Sequence, residues 1–518
     1  MKNARGECKP TGNVAVRILI VLDTRDAASW QMQLVDRLCA SGLCETFTAD
    51  VGMADVRRAG PPGGPAEFPG ARRFTAIVDL TGRLDARQHD EPAEGVWRLC
   101  DGRGVVLGDR LHGLETVAAG VGIQLHLVAC TRGTTTLVDS AAAYAEPGAR
   151  VSLERLCGYA RALLLSAVRE VAVLGALDRR RAWKPDGSYP TPMSRLIWKA
   201  RGVGNRILKL LRGALVVEQW MVGVIDMRFT EALRSQHLPI RWIGKRDSSH
   251  CWADPFGVPG CQDEIYCEEF DFRKNIGRIV KLKLNEGVVP ERSQDVELGL
   301  QGHLSYPYLF RHAGALYCVA ESGQSRRCVL NRLDECGRWK QVVELVDNIE
   351  VADPTIFRHG GYFWLAYTDV SMGAFDNLCL CYATDLLGPW HAHPQNPVKF
   401  DHGSSRSAGS VIKDGDQLLR VAQVCKSRYG QAVAVNRILH CTPEFYREEV
   451  TQIIGPGRDR TNPHGLHTMS EWGDRVLVDG KRNVINHWVV WRRIATRVAR
   501  VYRKSALFKA RAGARAQG

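Results

Sequence analysis

The strongest constraint on the fold is a short pattern that returns five times after residue 250. Most copies begin with a strand of small residues and continue through a polar, Gly-containing turn into an aromatic-rich strand. The copies lie at 252–257, 304–310, 351–357, 405–412 and 465–469. Short antiparallel strands that repeat about every 50 residues are typical of propeller blades. The sequence therefore predicts an all-β five-bladed propeller over residues 217–482, with 218–226 as its closing strand.

Chemically useful side chains occupy equivalent positions in these repeats. In a propeller the first strand of each blade lines the central channel. The equivalent positions are 254, 306, 353, 408 and 467, and this strand would place Asp254, Tyr306, Asp353, Arg406 and His467 around the channel. We therefore expect residues that are more than two hundred positions apart to meet around one axis.

A second domain is predicted at residues 14–180, because 518 residues are too many for one core. Buried-type strands alternate with amphipathic helices there, which favours an α/β domain with a Rossmann-like parallel sheet. The turn after the first strand reads DTRDAAS and lacks the G-x-G-x-x-G of dinucleotide-binding domains. The sequence therefore indicates no dinucleotide cofactor.

Two basic segments complete the chain, a helical linker at 181–216 and an amphipathic helix with a tail at 483–518. Both 193–215 and 485–504 set an apolar stripe against Lys and Arg, and no acid follows Lys481. Such helices either pack between domains or lie on an anionic membrane surface. Nucleic acid is not an expected partner, because no reading helix accompanies the charge.

The cysteines and the hydropathy pattern bear on location. Sixteen cysteines are scattered singly, without a C-x-x-C pair or a zinc-type spacing. We interpret them as free thiols in a reducing cytoplasm and expect no metal site. No apolar run reaches the roughly 18 residues that span a bilayer. The expected location is cytoplasmic, with the inner face of the membrane as a peripheral alternative.

The ordered motifs ADPFG, DEIYCEEFDF, HLSYP, AES, ADPT, YTD, DLLGPW, RYG and GLHT resemble a known family. They are similar to the N-terminal propeller domain of plant glucosamine inositolphosphorylceramide transferases, over roughly 217–482. They also resemble bacterial proteins that join this propeller to a formyltransferase-like N-terminal domain. The Asn-His-Asp site and Ser-Leu-Leu-Pro loop of formyltransferases are missing from 14–180, which argues against one-carbon transfer.

More distantly, the propeller is similar to glycoside hydrolases of families 32, 43, 62 and 68, which use three axial carboxylates. The resemblance implies Asp254 and Asp353 as two of them, and Glu321 in AES is the best candidate for the third. Asp254 would act as base or nucleophile, Glu321 as acid, and Asp353 would position a sugar hydroxyl or tune a neighbour. The alternative is that each Asp-Pro is a turn whose carboxylate accepts backbone N–H groups.

The predicted substrate contacts are His303, Tyr306, Asp369, Arg406, Arg428 and His467. An arginine among acids suits the phosphate of an activated sugar. The sequence therefore favours a glycosyltransferase of cell-surface glycan or glycolipid synthesis, with a carbohydrate or glycolipid substrate and a nucleotide-sugar donor instead of a resident cofactor. The alternatives are a furanoside hydrolase, a non-catalytic glycan-binding module and, third, a formyltransferase. Trp252, Trp364 and Tyr429 are further candidates for stacking on sugar.

Overall fold

The computed structural model describes two assemblies of β-strands joined through helices. The described residues are 16–23, 29–50, 56–59, 74–84, 92–102, 104–107, 123–131, 134–143, 149–178, 181–185, 216–235, 237–244, 247–285, 289–426, 428–457, 459–493 and 495. The predicted linker segment 193–215 and the end of the tail lie outside these ranges. Among the described residues, no helix is long and apolar enough to cross a bilayer.

The N-terminal part, here called the head, is one eight-stranded sheet with two helices. Its order is β3-β2-β1-β4-β5-β6-β7-β8. The elements are β1 (Arg17–Val21), α1 (Ser29–Ser41), β2 (Glu45–Ala49), β3 (Val56–Arg58), β4 (Ala76–Asp79), β5 (Val96–Asp101), β6 (Ile123–Thr131), β7 (Thr134–Ala143), α2 (Ala149–Leu174) and β8 (Arg181–Ala182). Trp30, Leu34 and Leu38, four residues apart on α1, are buried in the core that α2 also covers.

The predicted parallel sheet requires correction. The pairings β1–β2, β1–β4 and β4–β5 are parallel, whereas β2–β3 and all pairings from β5 to β8 are antiparallel. The head sheet is therefore mixed, and a Rossmann-like domain is not shown. The start of the predicted helical linker is also different, because Arg181–Ala182 is an edge strand that pairs with β7.

The remainder forms five four-stranded antiparallel sheets, which we call blades. The chain first forms β9 (Val216–Ile225), α3 (Phe229–Arg234) and β10 (Ile240–Trp242). The first blade is β11 (His250–Gly257), β12 (Glu264–Asp271), β13 (Ile276–Asn285) and β14 (Val289–Asp295). The second is β15 (Ser305–His312), β16 (Ala315–Glu321), β17 (Arg327–Leu333) and β18 (Trp339–Asp347).

The third blade is β19 (Val351–His359), β20 (Tyr362–Asp369), β21 (Asn377–Ala383) and β22 (His391–Ala392), with β23 (Lys399–Phe400) also paired to β21. The fourth is β24 (Ser407–Asp414), β25 (Gln417–Val424), β26 (Ala432–Cys441) and β27 (Tyr446–Ile454). The fifth combines β28 (Met469–Trp472) and β29 (Arg475–Ile485) with β9 and β10. The pairing of β9 with β29 confirms the predicted closing strand.

The first strands of the blades meet in a closed, propeller-like order. Strand β11 contacts β15, β15 contacts β19, β19 contacts β24, β24 contacts β28, and β28 returns to β11. At the junction of the fourth and fifth blades, Gly409 pairs with Met469. A Cβ atom on Gly409 would lie 2.0 Å from the carbonyl oxygen of Met469, so this contact requires glycine.

A strained bulge sits in the first strand of three blades. Asp254, Tyr306 and Asp353 have φ of 50°, 48° and 47°, and the ladder shifts register at each of them. Proline follows every one, and proline donates no ladder hydrogen bond and disfavours helical backbone at the preceding residue. Left-handed backbone at such residues costs on the order of 1–3 kcal/mol each. The repeated Asp-Pro or Tyr-Pro pair is therefore the sequence form of a bulge.

Tyr306 ties three blades together at this level. Its ring is completely buried, and its hydroxyl accepts the N–H of Gly409 at 2.7 Å and lies 3.0 Å from Thr355 Oγ1. Phe256 of the first blade meets the ring edge to face. The hydroxyl is thus occupied by the protein, which corrects the expectation that Tyr306 contacts substrate.

The head docks on the third and fourth blades through α2. Tyr159 donates to Asp376, Arg447 pairs with Glu170, and Gln395 Nε2 donates to Ser166 Oγ at 3.1 Å. The ring of Tyr159 also packs against that of Phe400 at 4.8 Å.

The predicted C-terminal amphipathic helix is described only from 487 to 493 and at 495. Val489 is buried against the first blade, whereas Trp488 and Trp491 are 40% and 68% exposed. Strand β29 runs to Ile485, three residues past the predicted end of the propeller. The expectation that 485–504 binds a membrane stays a prediction.

We predict that Tyr306→Phe lowers the free energy of unfolding by about 1–3 kcal/mol, because the buried N–H of Gly409 loses its acceptor. Chemical denaturation measures this. The matched control is Tyr382→Phe, because the half-buried hydroxyl of Tyr382 makes no hydrogen bond to the described residues. We expect its free energy of unfolding to change by less than about 0.5 kcal/mol. Equal stability of Tyr306→Phe and the wild type would remove the proposed tie between blades.

Candidate functional site

Five carboxyl groups in the described part of the chain converge on the axis of the blades. They are Asp254, Glu268, Glu321, Asp353 and Asp479. Asp254 and Asp353 come from bulges in first strands. The second strands of their blades supply Glu268, Glu321 and Asp479. Each affects the charge state of at least one other: Asp353 and Asp479 raise the pKa of Asp254, and Asp254, Glu321, Asp353 and Asp479 raise that of Glu268. The predicted gathering of Asp254 and Asp353 on one axis is therefore present.

Arg406 joins the second, third and fourth blades at the axis. Its Nε donates to Asp353 Oδ2 at 2.5 Å and its Nη2 to Asp353 Oδ1 at 3.2 Å. The same Nη2 reaches Glu321 Oε2 at 3.2 Å, and Nη1 donates to the carbonyl of Ala374. Gln423 Nε2 adds a 2.7 Å bond to Asp353 Oδ2. Asp353 is consequently bound by three donors from two side chains and is held in one orientation.

Glu321 accepts one hydrogen bond from the guanidinium group of Arg406, whereas Asp353 accepts two. The Oε2 of Glu321 accepts the backbone N–H of Asp353 at 3.1 Å and the single contact from Arg406. Burial raises the pKa of Glu321 to about 8, with Arg406 opposing and Asp353 adding to the shift. One cation between two carboxyl groups cannot compensate both fully, so Glu321 retains its proton at neutral pH.

A second cluster surrounds His467 on the fifth blade. His467 Nδ1 lies 2.7 Å from Asp479 Oδ2, and its Nε2 lies 3.7 Å from Asp254 Oδ1. Burial alone would lower the pKa of His467, but the carboxylates of Asp479 and Asp254 raise it above its ordinary value. Burial raises the pKa of Asp254 to about 6, and His467 opposes that rise. Asp254 is thus mostly ionised at neutral pH and accepts the hydroxyl of Thr468 at 2.7 Å.

Glu268 and His303 form the edge of the site on the first blade. His303 Nδ1 accepts the N–H of Gly277 at 2.8 Å, and its Nε2 lies 3.5 Å from Glu268 Oε1. Burial, followed by the charge of Asp254, raises the pKa of Glu268 well above its usual range. The His303 side chain is 34% exposed and that of Glu321 is 17% exposed, whereas Asp353 is 2% exposed. Solvent therefore reaches the cluster from the side of His303 and Glu321.

Aromatic rings form a wall beside these charges. The guanidinium carbon of Arg406 lies 5.5 Å from the ring centre of Phe375 and 5.6 Å from that of Tyr429. Trp220 stacks on His467 at 3.7 Å. The Nζ of Lys481 is 5.0 Å from the Trp220 ring centre and donates to the carbonyl of Tyr429. Phe375 and Tyr429 are half-buried and pack against each other at 5.3 Å, and the Nζ of Lys481 also lies 5.4 Å from the ring centre of Tyr429.

Asp254, His467 and Asp479 could supply three ligands to a cation. One donor atom of each lies within 4.8 Å of the others, and all three residues are buried. Asp479, however, already accepts the N–H groups of Asp254, His467 and Thr468 as well as the His467 ring. This arrangement satisfies the charges without an ion.

Two predicted substrate contacts lie apart from the cluster. Asp369 is buried, and its Oδ1 accepts the N–H and the hydroxyl of Ser371, which makes it a turn-capping residue. Arg428 is exposed, and its charge acts on His464 and Lys481. For Asp369 the structure therefore favours a structural role over substrate binding.

Glu268, Gln423, Asp479 and Phe375 were missed by the sequence reading. Strand register holds the signal for Glu268, because Glu268 faces Ala253 as Glu321 faces Ser305, in each case one residue before the bulge. The sequence DEIYCEEFDF offers several acids and does not say which one faces inward. Phe375 lies in a loop with no repeat counterpart.

Comparisons with known proteins agree with part of this arrangement. Residues 277–465 match a family model described as glucosamine inositolphosphorylceramide transferase 1, N-terminal. The proteins of that name from Arabidopsis thaliana and Oryza sativa subsp. japonica are 31% and 28% identical over 152 residues, which are 28% of this chain. The chain spans about a fifth of the length of these curated relatives. The matches do not test the formyltransferase resemblance of the head.

Glycoside hydrolases are among the solved structures with a similar fold. A family 117 enzyme from the marine bacterium Zobellia galactanivorans has a TM-score of 0.33 at 14% identity, covering 46% of this chain and 88% of its own. A thermostable family 43 enzyme has a TM-score of 0.30 at 13% identity, covering 40% and 75%.

We predict that Glu321 carries a proton at neutral pH and releases it near pH 8. Infrared difference spectra of the wild type between pH 6.5 and 9.5, a range of about 1.5 units on either side of that value, should lose a protonated-carboxyl C=O band. Glu321→Gln should reduce that change by the contribution of one carboxyl group, while any part due to Glu268 and Asp254 remains. Glu344→Gln is the matched control, because the pKa of exposed Glu344 is lowered by Arg327 and should not contribute in this range. A band loss of the same size in Glu321→Gln and the wild type would contradict the assignment.

Proposed function

We propose that this chain is a glycosyltransferase that moves a sugar from an activated donor to an acceptor in glycan or glycolipid synthesis. The observation that carries the proposal is a pair of axial carboxyl groups in different surroundings, Asp254 beside His467 and Glu321 beside Arg406. Burial raises the pKa of Asp254 to about 6 and that of Glu321 to about 8. Two titratable groups whose environments separate their pKa values are suited to opposite roles in acid–base catalysis.

In this mechanism Asp254 is the base and Glu321 is the acid. At neutral pH the ionised Asp254 removes the proton of an acceptor hydroxyl, which then attacks the anomeric carbon. The neutral Glu321 donates its proton to the departing oxygen. Asp353 touches neither step directly, because Arg406 and Gln423 occupy its oxygens. Its role is to position Arg406.

Arg406 would stabilise the negative charge that develops on the leaving group. It keeps its charge because the carboxylate of Asp353 raises its pKa against the effect of burial. Since burial raises the pKa values of Glu321 and Glu268, the entrance carries less negative charge than five ordinary carboxylates would impose. A phosphate on the leaving group therefore suits this entrance, which favours transfer from an activated sugar over hydrolysis of a neutral glycoside.

The exposed parts of Phe375 and Tyr429 would contact the sugar. Both residues are half-buried and flank Arg406, so a sugar held against them lies next to the proposed acid. The name of the plant relatives, glucosamine inositolphosphorylceramide transferase 1, supports a glycolipid acceptor. A cytoplasmic location and an anionic membrane surface as partner stay predictions.

The test is donor turnover by wild type and Asp254→Asn. A panel of nucleotide sugars is incubated with the full chain and an extract of glycolipids, and release of nucleotide is measured. Asp254→Asn keeps the acceptor for Thr468 but cannot act as a base, so turnover should fall about 10²–10⁴-fold with an unchanged melting temperature. Asp226→Asn, an exposed acid paired with Arg241, should retain activity.

The same experiment separates the alternatives. Cleavage of a nitrophenyl furanoside without any nucleotide donor would show a hydrolase instead. Binding of oligosaccharide without turnover would show a glycan-binding module. Unchanged donor turnover in Asp254→Asn would refute the axial mechanism.

A further inference from the structure

A cavity lies between the head and the third blade, and none of the five axial acids lines it. Its volume is about 790 Å³, and its walls are α1, α2, Ser371 and Met372 and the segment 394–397 with Phe400. Small-molecule sites in proteins have volumes of about 300–1,000 Å³. We call it the arginine cleft, because four arginines line it: Arg37, Arg155, Arg161 and Arg169. No Asp or Glu is among its lining residues in the described part of the chain.

The arginines on α2 follow the period of the helix. Arg155, Arg161 and Arg169 belong to a run of lining residues spaced three or four apart, together with Gly158, Ala162 and Ser166. One side of α2 therefore faces the cavity over about four turns, and three of the residues on that side are arginines. Arg37 of α1 lies close enough to Arg161 for the two charges to repel.

Arg161 is the least compensated of these cations. Its Nη1 donates to Gln33, but its buried Nε has no hydrogen-bond partner among the described residues. Burial, followed by the charge of Arg37, lowers the pKa of Arg161, and burial lowers that of Arg169. Arg169 donates to the backbone carbonyl oxygen of Glu444, and that oxygen carries no formal charge. A cavity lined by several guanidinium groups, with no acid among its described lining residues, favours an anionic ligand.

The centre of the α2 face is open. Gly158 lines the cleft, and a Cβ atom at this position would meet no atom within 4 Å. Glycine in a helix interior costs about 0.5–1 kcal/mol relative to alanine. The missing side chain leaves space between Arg155 and Arg161, on the turn that joins them.

We propose that the arginine cleft binds a small molecule that carries one or more phosphate groups. Guanidinium groups are planar and remain charged, and they bind phosphate through paired N–H donors. The volume fits a ligand of nucleotide size, and the repelling arginines gain a counter-charge when it binds. The inference stands on this cavity and does not depend on the glycosyltransferase proposal.

One loop lies between the arginine cleft and the axial site. Ser371 and Met372 line the cleft, whereas Ala374 and Phe375 contact Arg406. Tyr159, on the cleft face of α2, donates to Asp376 at the end of the same loop. A ligand in the cleft therefore contacts the segment that supports Arg406.

The test is isothermal titration of the full chain with inorganic pyrophosphate. The wild type should bind with a stoichiometry near one, and Arg161→Gln should weaken the affinity about tenfold or more, because a charge-assisted hydrogen bond is lost. Its melting temperature without ligand should not fall, since a repelling buried charge is removed. Arg234→Gln, an exposed arginine paired with Asp414 on the surface, is the matched control and should bind like the wild type.

A second pair of variants fills the cleft without changing its charge. Gly158→Leu should abolish pyrophosphate binding, whereas Gly158→Ala should retain it, because the two differ only in the volume placed in the open space. Asp254→Asn should also retain it, so failure of the axial mechanism would leave this result intact.

Vesicles of phosphatidylcholine with phosphatidic acid identify the source of the phosphate. Vesicle binding that Gly158→Leu removes would assign a lipid headgroup. Pyrophosphate binding without such vesicle binding would assign a soluble phosphate compound. Absence of saturable binding in both arms, or an equal loss in Arg234→Gln and Arg161→Gln, would overturn the proposal.

Discussion

The bidentate pair between Arg406 and Asp353 is the interaction on which the axial site depends. It joins the third blade to the fourth, and the remaining contact of Arg406 reaches Glu321 on the second. A buried ion pair costs desolvation energy that its own attraction barely repays. Its importance here is its effect on Glu321. Arg406 makes two contacts with Asp353 and one with Glu321, so the pKa of Glu321 stays raised and this carboxyl group keeps its proton. Replacing the pair by apolar residues would preserve packing and remove the chemistry.

Backbone strain brings these groups to the axis. Asp254 and Asp353 adopt left-handed backbone immediately before proline, where regular strand would send their side chains to a blade face. The stacked blades around them supply the compensating burial, and Tyr306 shows the same bulge in a purely structural role. The same bulge thus places a carboxylate at the axis in two blades, and in another blade it places Tyr306, which binds to neighbouring blades. Function follows from which residue occupies the bulge.

The sequence predicted the parts of the site that repetition encodes. Asp254 and Asp353 can be predicted because each belongs to an Asp-Pro pair in the first strand of a blade. Arg406 and His467 can be predicted because they lie close to the corresponding position of their own repeats. Glu268 and Asp479 come from second strands, and in β12 several acids compete, so that strand register decides which one faces inward. Tyr306 was predicted at the right place with the wrong role, because its burial depends on Gly409 and Thr355 from other blades. The direction of strands in the head was also hidden: β6 and β7 are joined by two residues, which forces an antiparallel pair, whereas parallel neighbours need a crossover.

The central claim is that two axial carboxyl groups share acid and base roles because their surroundings separate their pKa values. The most direct measurement is kcat/KM of the wild type against pH, with the donor that the nucleotide-sugar panel identifies. The account predicts a bell-shaped profile that rises through about pH 6 as Asp254 ionises and falls through about pH 8 as Glu321 loses its proton. A profile that is flat through both of these values, or that keeps its alkaline limb in Glu321→Gln, would contradict it.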